Sequence, residues 1–386
     1  MVLIKMKIIP NIDKKFEDSF PDDFENTIQY WGFFSREEIE SNKGNLLMMD
    51  IDFRRYCSLN CSYCFRKNNS VDDVNKGDLS YDELITVIDD AKELGLESVK
   101  ICGAGEPTQD SRFLQFVRDM TDKDIGVATF TKGQVLGNDE EAKRFNHKYG
   151  IGSAQELCNE LYKLNVSFML SFQSFHTEVQ DALVRQEGHT LARNQALENL
   201  VKAGFNEPNP TRLCLSSAPI TKTNYDEVFD IYTYARERNI YPIIAVSMVS
   251  GKQLDDEFIH KIDLTDEQKL ALWTRVYSWN IEKGVQTLEQ IEEEGISAMP
   301  GSHPCNQVAA GLYVTANGNV VSCPGFTSIE GNVKERSIED IWTESQNLRR
   351  AGTFNCGCPP KEGRTIPNDL YEKVLQNLKQ IYKSNK

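Results

Sequence analysis

Residues 46–66 read LLMMDIDFRRYCSLNCSYCFR. The first eight, LLMMDIDF, are a short apolar run of the kind that forms a buried strand. Directly after it, Cys57, Cys61 and Cys64 stand in C-x3-C-x2-C spacing. Thiols grouped this tightly on one loop point to metal or cluster ligation. Three thiolates can hold three irons of a [4Fe–4S] cube and leave the fourth iron open to a small molecule. A structural zinc ion needs a fourth Cys or His nearby, and the nearest histidine is His147, far along the chain. An odd number of thiols also argues against disulfides.

Downstream, apolar runs alternate with amphipathic segments. Residues 80–95 (SYDELITVIDDAKELG) predict a helix with Tyr81, Leu84, Ile85 and Ile88 on one face and a Ser80–Glu83 capping box. Strands are predicted at 98–102, 126–131, 166–172, 211–220 and 241–248, and helices at 111–122, 153–164, about 190–204 and 224–239. Six strands joined by helical crossovers imply a parallel sheet. The fold expected is α/β, a partial (β/α)6 TIM-like barrel with its chemistry at the C-terminal ends of the strands. An open doubly wound sheet fits the strand count equally well.

Around this core four regions are expected: an N-terminal leader segment at 1–45, the barrel at 46–250, an acidic, solvated helical connector at 251–300, and a small cysteine-rich α+β domain at 301–386. The last has a hairpin, GLYVTANGNVVSC (311–323), turning at Asn317-Gly318. It is followed by a helix over 337–350 with Ile338, Ile341 and Trp342 inward, and a final helix over 368–382.

The 386 residues carry 43 basic and 58 acidic side chains, a net charge of −15. Such a chain lacks the clustered Lys and Arg that a nucleic-acid partner demands. No apolar run is long enough for a membrane span, and the N-terminus does not resemble a secretory signal. The expected location is cytoplasmic, where the ten cysteines would not serve as disulfides. Three of them, Cys102, Cys158 and Cys214, are isolated in apolar segments and read as small buried hydrophobes.

The C-x3-C-x2-C loop, with Tyr63 just before its third cysteine, resembles the radical S-adenosylmethionine (SAM) superfamily. Residues 101–107, ICGAGEP, resemble that family's GGEP loop. Phe130-Thr131-Lys132-Gly133 is similar to its TNG turn, with lysine in place of asparagine. Leu170-Ser171-Phe172-Gln173-Ser174 is similar to an S-L-D segment, with Gln173 in place of the acid. The resemblance implies that Cys57, Cys61 and Cys64 hold a SAM-binding [4Fe–4S] cluster. It implies that Tyr63, Gly103, Gly105, Glu106, Thr131, Ser171 and Ser216 bind the cofactor. Glu106 would contact its methionyl amino group or support that contact, and the two serines would lie near its ribose.

A second set follows the same logic. Cys305 is followed by twelve residues, Gly318, four residues and Cys323; Cys356-Gly357-Cys358 comes 32 residues later. This resembles the start of the auxiliary-cluster domain called SPASM and its shorter form, twitch. A full SPASM domain carries cysteines for two clusters. The four here suit one fully ligated [4Fe–4S] cluster, in a twitch-like domain. The closing C-x-C departs from the more familiar C-x2-C, and a zinc site with four cysteine ligands satisfies the same residues.

The resemblance implies reductive cleavage of S-adenosyl-L-methionine to a 5′-deoxyadenosyl radical, with electrons from a reductant such as flavodoxin or ferredoxin. The radical would take hydrogen from a small polar substrate (a sugar, aminocyclitol or amino-acid derivative), giving oxidation or epimerisation. Cys102 and Cys214 are candidate hydrogen donors for the latter. The alternative substrate is a ribosomally made peptide. The 45-residue leader segment is short for a leader-binding module and the auxiliary cysteines suffice for one cluster, so the small molecule is preferred. A non-catalytic double-metal protein is a third alternative, opposed by the open three-cysteine loop. Arg185, His176, His189 and Arg212 are expected at the surface.

Overall fold

Short strands that are apolar along almost their whole length require cover on both faces of the sheet, and the chain supplies both. The computed structural model describes residues 6–64, 77–250, 255–354 and 357–383. Its sheet contains β1 (Met48–Ile51), β2 (Ser98–Ile101), β3 (Gly126–Thr131), β4 (Ser167–Ser171), β5 (Leu213–Ser217), β6 (Tyr241–Ile244), β7 (Gly311–Val314), β8 (Asn319–Val321) and β9 (Gly331–Asn332). The spatial order is β6-β5-β4-β3-β2-β1-β7-β8-β9. Strands β1 to β6 pair in parallel between sequence neighbours, as the crossover helices require. The architecture is the expected α/β partial barrel with a C-terminal cysteine-rich region.

One face of the strands carries Ile51, Val99, Ile101, Val127, Phe168, Leu170, Leu213 and Leu215 into the core beneath the helices. The other face carries Ala128, Met169, Cys214, Tyr241 and Ile243. These pack with Ile28 and Trp31 inside the barrel. The predicted capping box is present: Ser80 Oγ accepts from Glu83 N and the Glu83 carboxylate accepts from Ser80 N, opening the helix Tyr81–Glu93.

Three expectations change. The C-terminal hairpin is not set apart from the barrel: β7 extends the sheet in parallel with β1, with Asp50 opposite Tyr313. The region 251–300 is not a solvated connector. The helix Asp266–Lys283 buries Leu272, Trp273, Val276 and Tyr277 and joins Val374 and Leu378 of the final helix Leu370–Lys383 in a second core. Charged residues of both signs interspersed along it hide that apolar stripe in the sequence. The helix predicted over 337–350 breaks at Ser345, whose Oγ caps a new helix by accepting from Leu348 N at 2.9 Å.

The N-terminal segment is packed along the barrel. Ile8 N donates to Phe175 O at 2.9 Å, Tyr234 Oη to Pro10 O at 2.8 Å, and Arg238 Nε to Ile12 O at 2.8 Å. Among the described residues, no helix is long and apolar enough to cross a membrane.

Candidate active site

The loop after β1 is pinned by its neighbours. Leu59, Cys61 and Tyr63 pack against Val184, and Ser62 N donates to Leu183 O at 2.9 Å. Gln109 takes a hydrogen bond from Ser58 N (3.0 Å) and gives one to Ser58 Oγ (2.8 Å). The glycines of the loop after β2 permit close approach. Gly105 has φ +86°, and a Cβ there would fall 1.9 Å from Arg54 O.

Glu106 is buried and accepts four hydrogen bonds. Oε1 takes Thr108 N (3.3 Å), Thr108 Oγ1 (2.7 Å) and Thr131 Oγ1 (2.7 Å), and Oε2 takes Lys132 N (2.7 Å). Its carboxylate therefore ties the loop after β2 to the turn after β3. Lys132, noted in the sequence only as a departure from a motif, sends Nζ to Tyr63 Oη (2.9 Å) and Ser171 Oγ (2.7 Å). Burial opposes its charge, but Tyr63 and the Cys61 thiol outweigh that effect and hold the ammonium above its usual range. Burial pushes the Tyr63 phenol up to about 12.

These groups face one cavity of about 290 Å³. Cys57, Cys61 and Cys64 line it together with Cys305, Cys323 and Cys358, so the two cysteine sets open into the same space. Gly103, Gly105, Glu106, Thr131, Ser171, Ser216 and Cys102 line it as well. Cys356 lies outside the described residues. Cys214 is not brought there: it is the second residue of β5, fully buried among Met169, Tyr241 and Ile243, while the cavity opens near the other end of the strands.

Sequence reading also missed Asp50 and Lys100. Both are buried and face the barrel interior, with Lys100 Nζ 3.0 Å from Asp50 Oδ1 and 4.5 Å from the centre of the Trp31 ring. The available signal was a charge inside each of two apolar strands, since a buried charge requires a partner.

Of the four residues expected at the surface, Arg185 is exposed and His176 half-buried, but Arg212 and His189 are buried. Arg212 donates to Tyr162 O (2.9 Å) and Asn165 Oδ1 (3.1 Å). His189 Nε2 lies 3.2 Å from Lys132 O; a carbonyl only accepts, so the ring carries its proton on Nε2. Burial, with Arg193 and Lys132 nearby, lowers the His189 pKa from 6.5 to about 3. The unfolded chain binds this proton below about pH 6.5 and the native one does not, so stability present at neutral pH is lost as pH falls from there towards 3. The slope expected from this group is about 1.4 kcal/mol per pH unit. Denaturant midpoints measured from pH 4 to 7 should show it, and His189→Asn should flatten it.

The cysteine sets fit iron–sulfur clusters. Burial, then the charge of Glu106, pushes the Cys57 thiol up to about 12, and burial moves Cys358 to about 11. Such thiols give up their protons to a bound metal rather than to water. Cys57, Cys61 and Cys64 of the first set, and Cys305, Cys323 and Cys358 of the second, line one cavity, and thiols arranged around a shared volume suit cube-shaped clusters in which each takes its own iron.

The sequence profile of the radical SAM superfamily matches residues 51–215. The chain belongs to the radical SAM superfamily. The profile of an iron–sulfur cluster-binding domain, SPASM, matches residues 305–361 of this radical SAM chain. Over 325 residues it is 23% identical to the tungsten-containing aldehyde ferredoxin oxidoreductase cofactor-modifying protein of Pyrococcus furiosus, covering 75% of this chain and 79% of that one. Over 304 residues it is 25% identical to the mycofactocin maturase MftC of Mycolicibacterium smegmatis, covering 76% and 69%. Its fold is similar to that of Streptococcus suis SuiB bound to precursor peptide SuiA, with a TM-score of 0.58 at 14% identity, covering 87% of this chain and 78% of that one. As a radical SAM enzyme with a SPASM domain, it uses S-adenosyl-L-methionine, a [4Fe–4S] cluster that binds it, and an auxiliary [4Fe–4S] cluster.

Proposed function

We propose that this enzyme is a radical maturase acting on a ribosomally made peptide. The observation that carries the substrate class is its likeness to a maturase, MftC, joined to a fold like that of peptide-bound SuiB over most of the chain. The weight thereby moves away from the small polar molecule preferred on sequence grounds. A second reading, modification of a small-molecule cofactor, is favoured by the Pyrococcus furiosus relative, which is named for that role.

Cys57, Cys61 and Cys64 would hold the first cluster, and Cys305, Cys323, Cys356 and Cys358 the second. The bound cluster and SAM together supply an electron and a 5′-deoxyadenosyl radical. The protein's part is orientation and exclusion of water. Gly103 and Gly105 keep the cofactor loop close to the cysteine loop. Lys132 places a cation beside Ser171 and Tyr63, where a carboxylate or ribose hydroxyl of SAM would be met. Phe130, Ile243, Val246 and Met299 make much of the cavity wall apolar, which keeps water from a reactive radical. Cys102, on that wall and packed near Asp50, is the remaining candidate hydrogen donor.

Anaerobic reconstitution should give about eight irons per chain; about four irons with one zinc would remove the auxiliary cluster. Given SAM and dithionite, the enzyme should form 5′-deoxyadenosine faster when peptides encoded beside its gene are added, with a change in the mass of one of them. Acceleration by sugars or aminocyclitols, with none by any such peptide, would overturn the peptide reading.

A further inference from the structure

One carboxylate joins three parts of the molecule that sequence keeps apart. Asp52 follows β1 directly and leads into the cysteine loop. It is 9% exposed. Its Oδ1 accepts from the backbone N–H of Ala104 and from the hydroxyl of Tyr313, and its Oδ2 accepts from Ala316 N at 3.3 Å. Ala104 is the centre of the Gly103-Ala104-Gly105 loop. Tyr313 is fully buried on β7, and Ala316 lies in the turn after it, both between Cys305 and Cys323. The fit leaves no spare volume: a Cβ on Gly103 would fall 1.6 Å from Asp52 Oδ1 and 2.5 Å from Tyr313 Oη.

Most parts of an auxiliary domain could be tied to a barrel by apolar packing alone. Here the pairing of β7 with β1 is joined by a charge-assisted hydrogen bond, which is directional and stronger than a neutral one. It also ends on the backbone of the loop that meets the cofactor. We propose that Asp52 and Tyr313 form a strut through which the SPASM segment holds the Gly103–Gly105 loop in its SAM-binding position. Both are positioning residues, and neither lines the cavity. The proposal rests on the family assignment and is independent of the substrate.

A strut makes two predictions that a merely stabilising contact does not. Coupling between sites is reciprocal, so SAM binding should tighten the auxiliary strand just as that strand favours SAM. Removing the Tyr313 hydroxyl should act on affinity for SAM, not only on folding. The test uses full-length reconstituted enzyme. Tyr313→Phe should keep its iron, bind SAM about tenfold more weakly, and show a smaller SAM-induced change in the EPR spectrum of the reduced first cluster. Asp52→Asn should do the same, and the double variant should lose less than the sum of the two. Wild-type affinity and a wild-type EPR change in an iron-replete Tyr313→Phe would overturn the strut. Should the variants fail to fold, hydrogen exchange in the wild-type holoenzyme decides. SAM should slow exchange across residues 311–316, and unchanged exchange there would refute the coupling.

Discussion

Replacing Cys57, Cys61 and Cys64 together with alanine is expected to remove about four irons per chain and to abolish 5′-deoxyadenosine formation under dithionite, while the iron of the auxiliary set is retained. The expectation follows from where the thiols sit. All three line one cavity on a loop held by Gln109, Leu183 and Val184. Besides Cys61, those contacts use Ser58, Ser62, Leu59 and Tyr63, so the loop keeps most of its anchors when the sulfurs are gone. A cysteine-to-alanine change removes one sulfur atom, and of the three only Cys61 is fully buried, Cys57 and Cys64 being half-buried. The variant should therefore fold, with the circular dichroism of the parent, and fail in chemistry alone. Continued formation of 5′-deoxyadenosine would refute the assignment of these three thiols. Loss of all iron would instead show that the two sets assemble as one unit through their common cavity.

What was legible beforehand divides by range. Local signals sufficed for β1 to β6 and for the helix Tyr81–Glu93, because short apolar runs and the Ser80–Glu83 box are decided within a few residues. The pairing of β7 with β1 was not legible. It joins strands far apart in the chain, and nothing in GLYV distinguishes a hairpin strand from one that also completes a barrel edge. The same is true of Asp52 and Tyr313. A carboxylate in an apolar run announces that it requires a partner, but only the fold supplies the identity of that partner. The helix Asp266–Lys283 was misjudged because its charges are numerous and its buried stripe is narrow. Cys214, also a candidate hydrogen donor, is the second residue of β5 (Leu213–Ser217) and belongs to the interior packing, in line with its reading as a small buried hydrophobe, whereas Ser216 reaches the cavity.

Glu106→Gln separates two roles that the motif alone merges. If Glu106 only met the amino group of SAM, the change would lower SAM affinity and leave stability alone. The structure predicts a loss of both. All four groups around the carboxylate donate: two backbone N–H groups and two hydroxyls. A glutamine must turn its NH2 either towards Lys132 N or towards Thr108 and Thr131. The hydroxyls can rotate away, but in either orientation one backbone N–H, that of Lys132 or that of Thr108, meets a second donor. A buried donor left unsatisfied costs about 1–3 kcal/mol, and the turn after β3 or the loop after β2 must shift to relieve it. Either shift loosens the tie between two segments that line the cavity, so SAM affinity should fall by about tenfold or more. Thr131→Val is the informative companion. It removes one donor and leaves the carboxylate three, so it should weaken SAM binding less than Glu106→Gln. A Glu106→Gln enzyme with unchanged denaturant midpoint and weakened SAM binding would assign the residue to the cofactor directly, and the tie between the two loops would then not be its function.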